Sequence, residues 1–316
     1  MKKDNWFKDY HEIPELGIKG LRSIKNRIKY YHINDFKKAS VLDIGCNMGQ
    51  MSFQAEKWGA SQVIGVEYDR VAWKKAILNK KQLKSSVIFT LDDIDNPLFW
   101  RGINPSDVVL FLAVFGTKEL KDRFSILNKA CLKTKNVMYF EGHRKAKTNV
   151  YVKNILQYTD FSQIEFLGTV GKKRAFLRCS RETLTPKGCI EKILKLKGRY
   201  NKIAIIGKGD VGKTYIRKRL GDCGSHLVVD DRRVWDNEKL SLEKLSLEKL
   251  NSTKKIILFD YRSLLYVDDF EVVFFLTPNE KLLQRAQRAS TRSRVNELEF
   301  KYDKVERFYT VITRGR

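Results

Sequence analysis

Five cysteines in 316 residues stand far apart, at Cys46, Cys131, Cys179, Cys189 and Cys223, and none belongs to a C-x-x-C pair. The four histidines are equally dispersed. A structural zinc site is therefore not expected, and reduced thiols in a cytosol are the plain reading. Long apolar runs are missing too. Val108–Phe115 is strand-length and far short of a membrane span. Near the start, Lys2 and Lys3 run into Asp4, Asn5 and Trp6, without the apolar core of a signal peptide. These absences together point to a cytoplasmic chain.

Negative charge is also in short supply. Asp and Glu number 37 against 62 Lys and Arg, a formal charge of +25. Such an excess admits a polyanionic partner, nucleic acid above all, or a lysine-rich surface that only solvates the fold. The lysines are spread over both halves, and no RNA-binding signature accompanies them.

What is present is an alternation of strand and helix patterns from Val41 onward, which implies parallel sheet with helices on both faces. Strands are predicted at 41–44, 62–67, 87–91, 107–114 and 137–141, with helices at 50–58, 71–83, 118–133 and 150–158 between and after them. Strands at 164–170 and 174–179 are separated by Gly171-Lys172-Lys173, a turn-sized link suited to an antiparallel hairpin. Pro186, Gly188 and a basic run from Lys192 to Arg199 mark a boundary. A second α/β series begins at Lys202. The expected fold is thus α/β with two doubly wound domains, residues 1–185 and 201–316, joined by a linker at 186–200. Within the second, the tandem Leu-Ser-Leu-Glu-Lys repeat at 240–249 matches neither a heptad nor a solenoid and is read as a surface insertion.

The turn after the first strand reads Val41-Leu42-Asp43-Ile44-Gly45-Cys46-Asn47-Met48-Gly49. Gly45 and Gly49 let the backbone pass close to a ligand, and the following helix presents free amides there. A dinucleotide loop would need G-x-G-x-x-G, but Asn47 and Gln50 take its second and third glycine positions. The acidic-x-G-x-G-x-G pattern of S-adenosylmethionine (SAM) methyltransferases is met by Asp43, Gly45 and Gly49. Asn47 stands for the middle glycine, and asparagine tolerates left-handed backbone better than most residues. The segment resembles class I methyltransferases, in particular a subgroup with Asp-x-Gly-Cys-Asn-x-Gly that includes RNA 5′-phosphate and sugar- or glycan-associated enzymes. The resemblance covers about residues 10–180, including Leu16–Arg22 and Arg27, which are similar to an N-terminal cap. It implies a seven-stranded Rossmann-like sheet. It also implies Glu67 on the SAM ribose, Asp92 and Asp93 at the adenine amine, and Phe111 beside the transferred methyl. Glu141 and His143, at the end of the fifth strand, are candidate catalytic groups, since polar residues at carboxyl ends of strands face the crevice. His143 suits a general base. A phosphate or carboxylate acceptor would need no base.

In the second half, Ile203–Ile206 leads into Gly207-Lys208-Gly209-Asp210-Val211-Gly212-Lys213-Thr214, a complete G-x-x-x-x-G-K-[ST] loop directly after a strand. Gly207, Gly209 and Gly212 free amides to surround a β-phosphate of ATP, Lys213 reaches the β- and γ-phosphates, and the Thr214 hydroxyl binds Mg²⁺. No N-K-x-D base-recognition motif follows. Instead Leu227–Asp231 ends in the paired acids Asp230 and Asp231, where small-molecule kinases keep an acceptor-orienting base. Ile256–Asp260 resembles a Walker B strand with Asp260 near Mg²⁺. Arg285 and Arg288, with Arg292 and Arg294, resemble the arginine-rich lid of nucleoside and nucleotide kinases. The expected chain is a bifunctional transferase that phosphorylates an acceptor hydroxyl and methylates the product. A glycan, sugar or other small metabolite is the leading acceptor, nucleic acid the rival. A non-catalytic nucleotide-binding module regulating the methyltransferase is the alternative for the second half.

Overall fold

The structure is a computed structural model, and it describes residues 11–20, 22–143, 148–171, 174–206, 213–220, 226–230, 255–259, 271–278 and 307–313. The chain divides into two compact units. One comprises Met1–Lys147, Asn154–Phe161 and Glu165–Arg181, the other Thr148–Lys153, Ser162–Ile164 and Glu182–Arg316. Both are α/β. No helix among the described residues is long and apolar enough to cross a membrane.

In the first unit, a short helix α1 (Lys25–Ile28) precedes β1 (Ser40–Ile44), α2 (Gln50–Lys57), β2 (Gln62–Glu67), α3 (Arg70–Leu83), β3 (Ile88–Leu91) and α4 (Pro97–Gly102). The chain continues through β4 (Ser106–Leu112), α5 (Arg123–Leu132), β5 (Thr134–Glu141), α6 (Thr148–Tyr158), β6 (Gln163–Val170) and β7 (Arg174–Ser180), of which the first residues of α6 and of β6 count with the second unit. Spatial order is β3-β2-β1-β4-β5-β7-β6. All pairs from β3 to β5 are parallel, and β7 runs antiparallel to β5. Val41, Leu42, Asp43 and Ile44 are buried at successive positions of β1, as a strand covered on both faces requires. Because β2 and β3 lie to one side of β1 and β4 to the other, the strand order reverses at the carboxyl ends of β1 and β4. An open sheet forms its ligand crevice there.

Three elements differ from the sequence expectation. The helix expected over 118–133 begins only at Arg123, because Asp122 caps it by accepting a hydrogen bond from the Ser125 amide (3.0 Å). Residues 118–121 stay outside it. The fourth strand stops at Leu112, because Ala113 takes a left-handed backbone at φ 59°. Helix α4, capped by Asn96 with Pro97 in its first turn, was not expected at all.

The segment before β1 is fastened to the sheet by aromatic packing and by ion pairs. Tyr31 lies 4.5 Å from Tyr139 and 5.1 Å from Phe176 between ring centroids, and Phe36 lies 4.8 Å from Trp58. Asp35 accepts two hydrogen bonds from Arg178 and a third from the Tyr139 hydroxyl.

The second unit holds α7 (Pro186–Leu196), β8 (Lys202–Ile206), α8 (Lys213–Leu220), β9 (His226–Asp230), β10 (Lys255–Phe259), β11 (Val272–Pro278) and β12 (Arg307–Thr313). Their order is β12-β11-β8-β10-β9, with every neighbouring pair parallel. Residues 186–200 carry the short helix α7. Thr185 caps α7 by accepting from the Gly188 amide, and Cys189, Ile193, Leu196 and Tyr200 are buried in one cluster with Ile203, Phe274 and Tyr309. Strand β12 had no counterpart in the sequence reading.

Gly20 shows how closely the N-terminal segment doubles back. A Cβ there would lie against the backbone of His11 and Glu12, inside contact distance. We expect Gly20→Ala to cost about 1–3 kcal/mol, the usual penalty for overpacking, in urea unfolding followed by circular dichroism. Gly102→Ala is the control, since a Cβ at Gly102 meets nothing within 4 Å, and it should leave the midpoint nearly unchanged.

Candidate functional site

A cleft of about 540 Å³ opens at the carboxyl ends of the first unit's strands. Its floor is the turn that follows β1. Gly45, Asn47 and Gly49 all adopt left-handed backbone, at φ 70°, 52° and 88°. Asn47 stabilises its own strained position, its Oδ1 accepting from the Met48 amide at 2.9 Å. A Cβ on Gly49 would meet the rings of Phe89 at 2.6 Å and Phe53 at 2.8 Å, so only glycine lets the turn sit this low. Gly45 is similarly confined by Val114.

Glu67, the last residue of β2, closes the turn from the side. Its Oε2 accepts from the Asn47 amide (2.8 Å), and its Oε1 accepts from the amides of Tyr68 and Asp69 (3.0 and 2.9 Å). Burial raises its carboxyl above the ordinary range, and these three bonds oppose the rise. Beyond it, Asp92 is bound through its amide to the Glu67 carbonyl (3.0 Å) and accepts from the Asp93 amide. Asp93 in turn accepts from Asp95. Asp69, Asp92, Asp93 and Asp95 thus make an acidic wall along the ends of β2 and β3, joined by Tyr68, which is 60% exposed.

Asp43 lies deeper. It is buried in β1 and accepts from the Ser52 hydroxyl at 2.6 Å. Burial pushes its pKa up to about 6, although the Ser52 bond and Arg27 pull the other way.

The opposite wall comes from β5, β7 and the N-terminal segment. Glu141 is fully buried between two arginines, with Arg27 Nη2 at 2.9 Å from Oε2 and Arg174 Nη2 at 2.6 Å from Oε1. Both guanidinium groups border the cleft, whereas Glu141 lies behind them, off its surface. His11 stands beside them, its Nδ1 at 2.8 Å from Gln50 Oε1. The Gln50 amide nitrogen donates to the Glu12 carbonyl, so Gln50 presents its oxygen and His11 carries its proton on Nδ1. Burial, then the charge of Arg27, lowers the His11 pKa to about 3.

Of the residues singled out in the sequence, Asp43, Gly45, Asn47, Glu67, Asp92, Asp93 and His143 border this cleft. Gly49 supports it from below. Phe111 does not reach it. It is fully buried in β4 with its ring 5.9 Å from Phe140, and Leu112, Ala113 and Val114 form the lining instead. His143 packs against Gly116, where no side chain would leave it room. His11 and Arg174 were missed by sequence reading. Nothing near either of them in the sequence marks it, and only the fold brings them to Arg27.

In the second unit, Gly207, Gly209, Gly212, Asp231, Asp260, Arg285 and Arg288 lie outside the described residues, as does the repeat at 240–249. Lys213 and Thr214 open α8, directly after that loop. Phe259 pairs in register with Ile205 on one side and Asp230 on the other. The backbone therefore brings the ends of β8, β10 and β9 to one edge. Among the described residues no group of three His, Cys, Asp or Glu side chains could hold a metal ion.

No family model matches the chain. An uncharacterized protein of Methanocaldococcus jannaschii, MJ0284, is 34% identical over 67 residues, 21% of this chain and 31% of that protein. The chain thus matches about a third of the length of that curated relative. Among solved structures, the magnesium protoporphyrin IX methyltransferase ChlM of Synechocystis PCC 6803 with bound SAM is 16% identical, with TM-score 0.40 over 47% of this chain and 73% of that one. The bifunctional kinase-methyltransferase WbdD is 15% identical, with TM-score 0.44 over 56% and 44%. A protein described as a putative RNA methyltransferase, PH1948 of Pyrococcus horikoshii, is 20% identical, with TM-score 0.37 over 47% and 77%. These likenesses are distant.

Asp43 and His11 titrate with opposite consequences. The folded pKa of Asp43 lies above its unfolded value, so its ionisation costs stability as pH rises from about 4 to about 6. The folded pKa of His11 lies below its unfolded value, so acidification from about 6.5 to about 3 costs stability. Asp43→Asn keeps an acceptor for Ser52 and removes the first effect alone. We expect it to gain roughly 2–3 kcal/mol over wild type at pH 8, and to lose most of that advantage by pH 4.5, in parallel urea titrations.

Proposed function

We propose that this chain is a bifunctional transferase. Residues 1–185 form a SAM-dependent methyltransferase domain and residues 201–316 a P-loop kinase-like domain using ATP and Mg²⁺, with 186–200 linking them. The observation that carries the methyltransferase reading is the left-handed turn at Gly45, Asn47 and Gly49, locked to the Glu67 carboxylate at the point where the strand order reverses. The residues present fit the cofactor. The turn is one that a Cβ at Gly49 would fill, the cleft is of ligand size, and the acid that ends β2 faces it. When bound, SAM supplies an activated methyl group as a sulfonium. Glu67 would hold the ribose hydroxyls, for which its three backbone bonds leave acceptor capacity. Asp92 and Asp93 would take the adenine amine. What remains for the protein is to align the acceptor, with His143 as base for a hydroxyl.

The second half of the reading rests on the loop motif together with the parallel register that gathers the ends of β8, β9 and β10. Lys213 and Thr214 would serve phosphate and Mg²⁺, and Asp260 the metal. Asp230 or Asp231 would orient an acceptor hydroxyl, and Arg285 and Arg288 would neutralise the moving phosphoryl group. A glycan, sugar or small metabolite is the acceptor we favour.

Calorimetry on the full chain should detect SAM, and Glu67→Ala should weaken it by about 1–3 kcal/mol. A folded chain with no heat of SAM binding would remove the methyltransferase reading.

For the kinase, ATP with Mg²⁺ should bind, and Lys213→Ala should reduce the affinity sharply, since phosphate charge is left uncompensated at the loop. Radiolabelled ATP screened against glycans, nucleosides and oligonucleotides should yield one phosphorylated class. If ATP binds and none is phosphorylated, the second unit is a nucleotide-binding module that regulates the first.

A further inference from the structure

We propose that Arg27 and Arg174, held by Glu141, form an oxyanion subsite for the methyl acceptor, so that the acceptor carries a phosphate or carboxylate group. The inference rests on the methyltransferase reading and names the substrate class of that same cleft.

Topology separates the two ends of the cleft. The left-handed turn, Glu67 and the acids after β3 belong to the β1-β2-β3 side of the sheet. Glu141 ends β5 and Arg174 begins β7, on the other side of β4. A cofactor held by the first set leaves the second to the acceptor. That end is built for an anion. Two guanidinium groups meet there, their side chains only 7% and 5% exposed, and both border the cleft. A single carboxylate is shared between them from behind, and Arg27 also acts electrostatically on the buried Asp43. Two planar forks preset by a common anchor suit the oxygens of a phosphate or carboxylate. His11 registers the same local field, its proton affinity depressed by burial and then by Arg27, with Arg22 and Arg174 adding to it. On this account Glu141, a candidate for catalysis from its place at the end of a strand, is a positioning residue. It touches the arginines and not the substrate.

The test uses the full chain, first loaded with S-adenosylhomocysteine and then titrated with inorganic phosphate or with acetate at constant ionic strength, by calorimetry. Saturable binding of either anion to the loaded protein is expected, and the stronger of the two identifies a phosphoryl or a carboxyl acceptor. Arg174→Gln should weaken the anion about tenfold or more, the loss of one charge-assisted bond, while changing S-adenosylhomocysteine affinity less than twofold. Arg174→Lys, which keeps the charge, should recover part of the anion affinity and guards against a variant that fails to fold. Absence of anion binding to the loaded wild-type chain overturns the proposal. So does competition, in which S-adenosylhomocysteine displaces phosphate, because the arginines would then belong to the cofactor's own carboxylate. If S-adenosylhomocysteine never binds but phosphate binds in an Arg174-dependent way, the methyltransferase reading falls and the anion site stands.

Discussion

The first unit is organised around the ion pairs of Glu141 with Arg27 and Arg174. These three side chains come from α1, the end of β5 and the start of β7, and α1 lies more than a hundred residues from either of the other two. Taking three charges out of water is costly, and removing one partner from such a group commonly costs 3–5 kcal/mol because a buried charge is stranded. The arrangement is therefore tolerable only when all three segments are in place together. It fixes the N-terminal segment over the strand ends, and that segment in turn brings His11 and, through Gln50, the start of α2 to the cleft. Cap, sheet and site are one cooperative structure. A second clasp, Asp35 with Arg178 and Tyr139, ties the same segment to β5 and β7 from the other end.

The turn after β1 depends on this frame in a different way. Of the three left-handed residues within five positions, Gly45 and Gly49 take that conformation freely, and Asn47 is the one that would be strained in isolation. The strain is offset by bonds that come from elsewhere. The Val66 carbonyl accepts from the amides of Gly45 and Cys46, and Glu67 holds the Asn47 amide. Glu67 is thereby both a wall of the cleft and the brace of its floor. A substitution there will disturb the turn as well as any ribose contact, so loss of binding must be read beside a measurement of folding.

Local features of the site were legible in the sequence, because their physics is local. A glycine-bearing turn needs its glycines at fixed offsets, and an acid closing a strand is visible from the strand. The parallel strands from β1 to β5 could be read from apolar runs for the same reason. The failures were of two kinds. Phe111 was expected beside the transferred methyl, but β4 buries Phe111, while Leu112, Ala113 and Val114 at and after its end reach the cleft. Whether a given residue faces core or crevice depends on where the strand ends, and the left-handed Ala113 that ends it has no sequence signature. The second kind is the cationic wall. Arg174 looks like one basic residue among many in a chain of charge +25, and His11 like an isolated histidine. Only the antiparallel return of β7 along β5 puts the arginine beside Glu141.

That same charge bears on the acceptor in a way the total alone conceals. The chain is strongly basic, yet its cleft is lined by seven carboxylates against four lysine and arginine side chains. A long-range positive field draws any anion towards the protein, nucleic acid included. At close range the acids along the ends of β2 and β3 repel a backbone that carries a phosphate at every step, so a polyanion lying along the cleft would meet its own sign over much of the path. An acceptor with a single anionic group avoids that conflict. It is attracted from a distance, presents an uncharged body to the acidic wall, and on the proposed reading finds its counter-charge at Arg27 and Arg174. The distribution of charge within the cleft, more than its sum over the chain, is thus what supports our proposal of a small or terminally charged acceptor rather than an extended nucleic-acid strand.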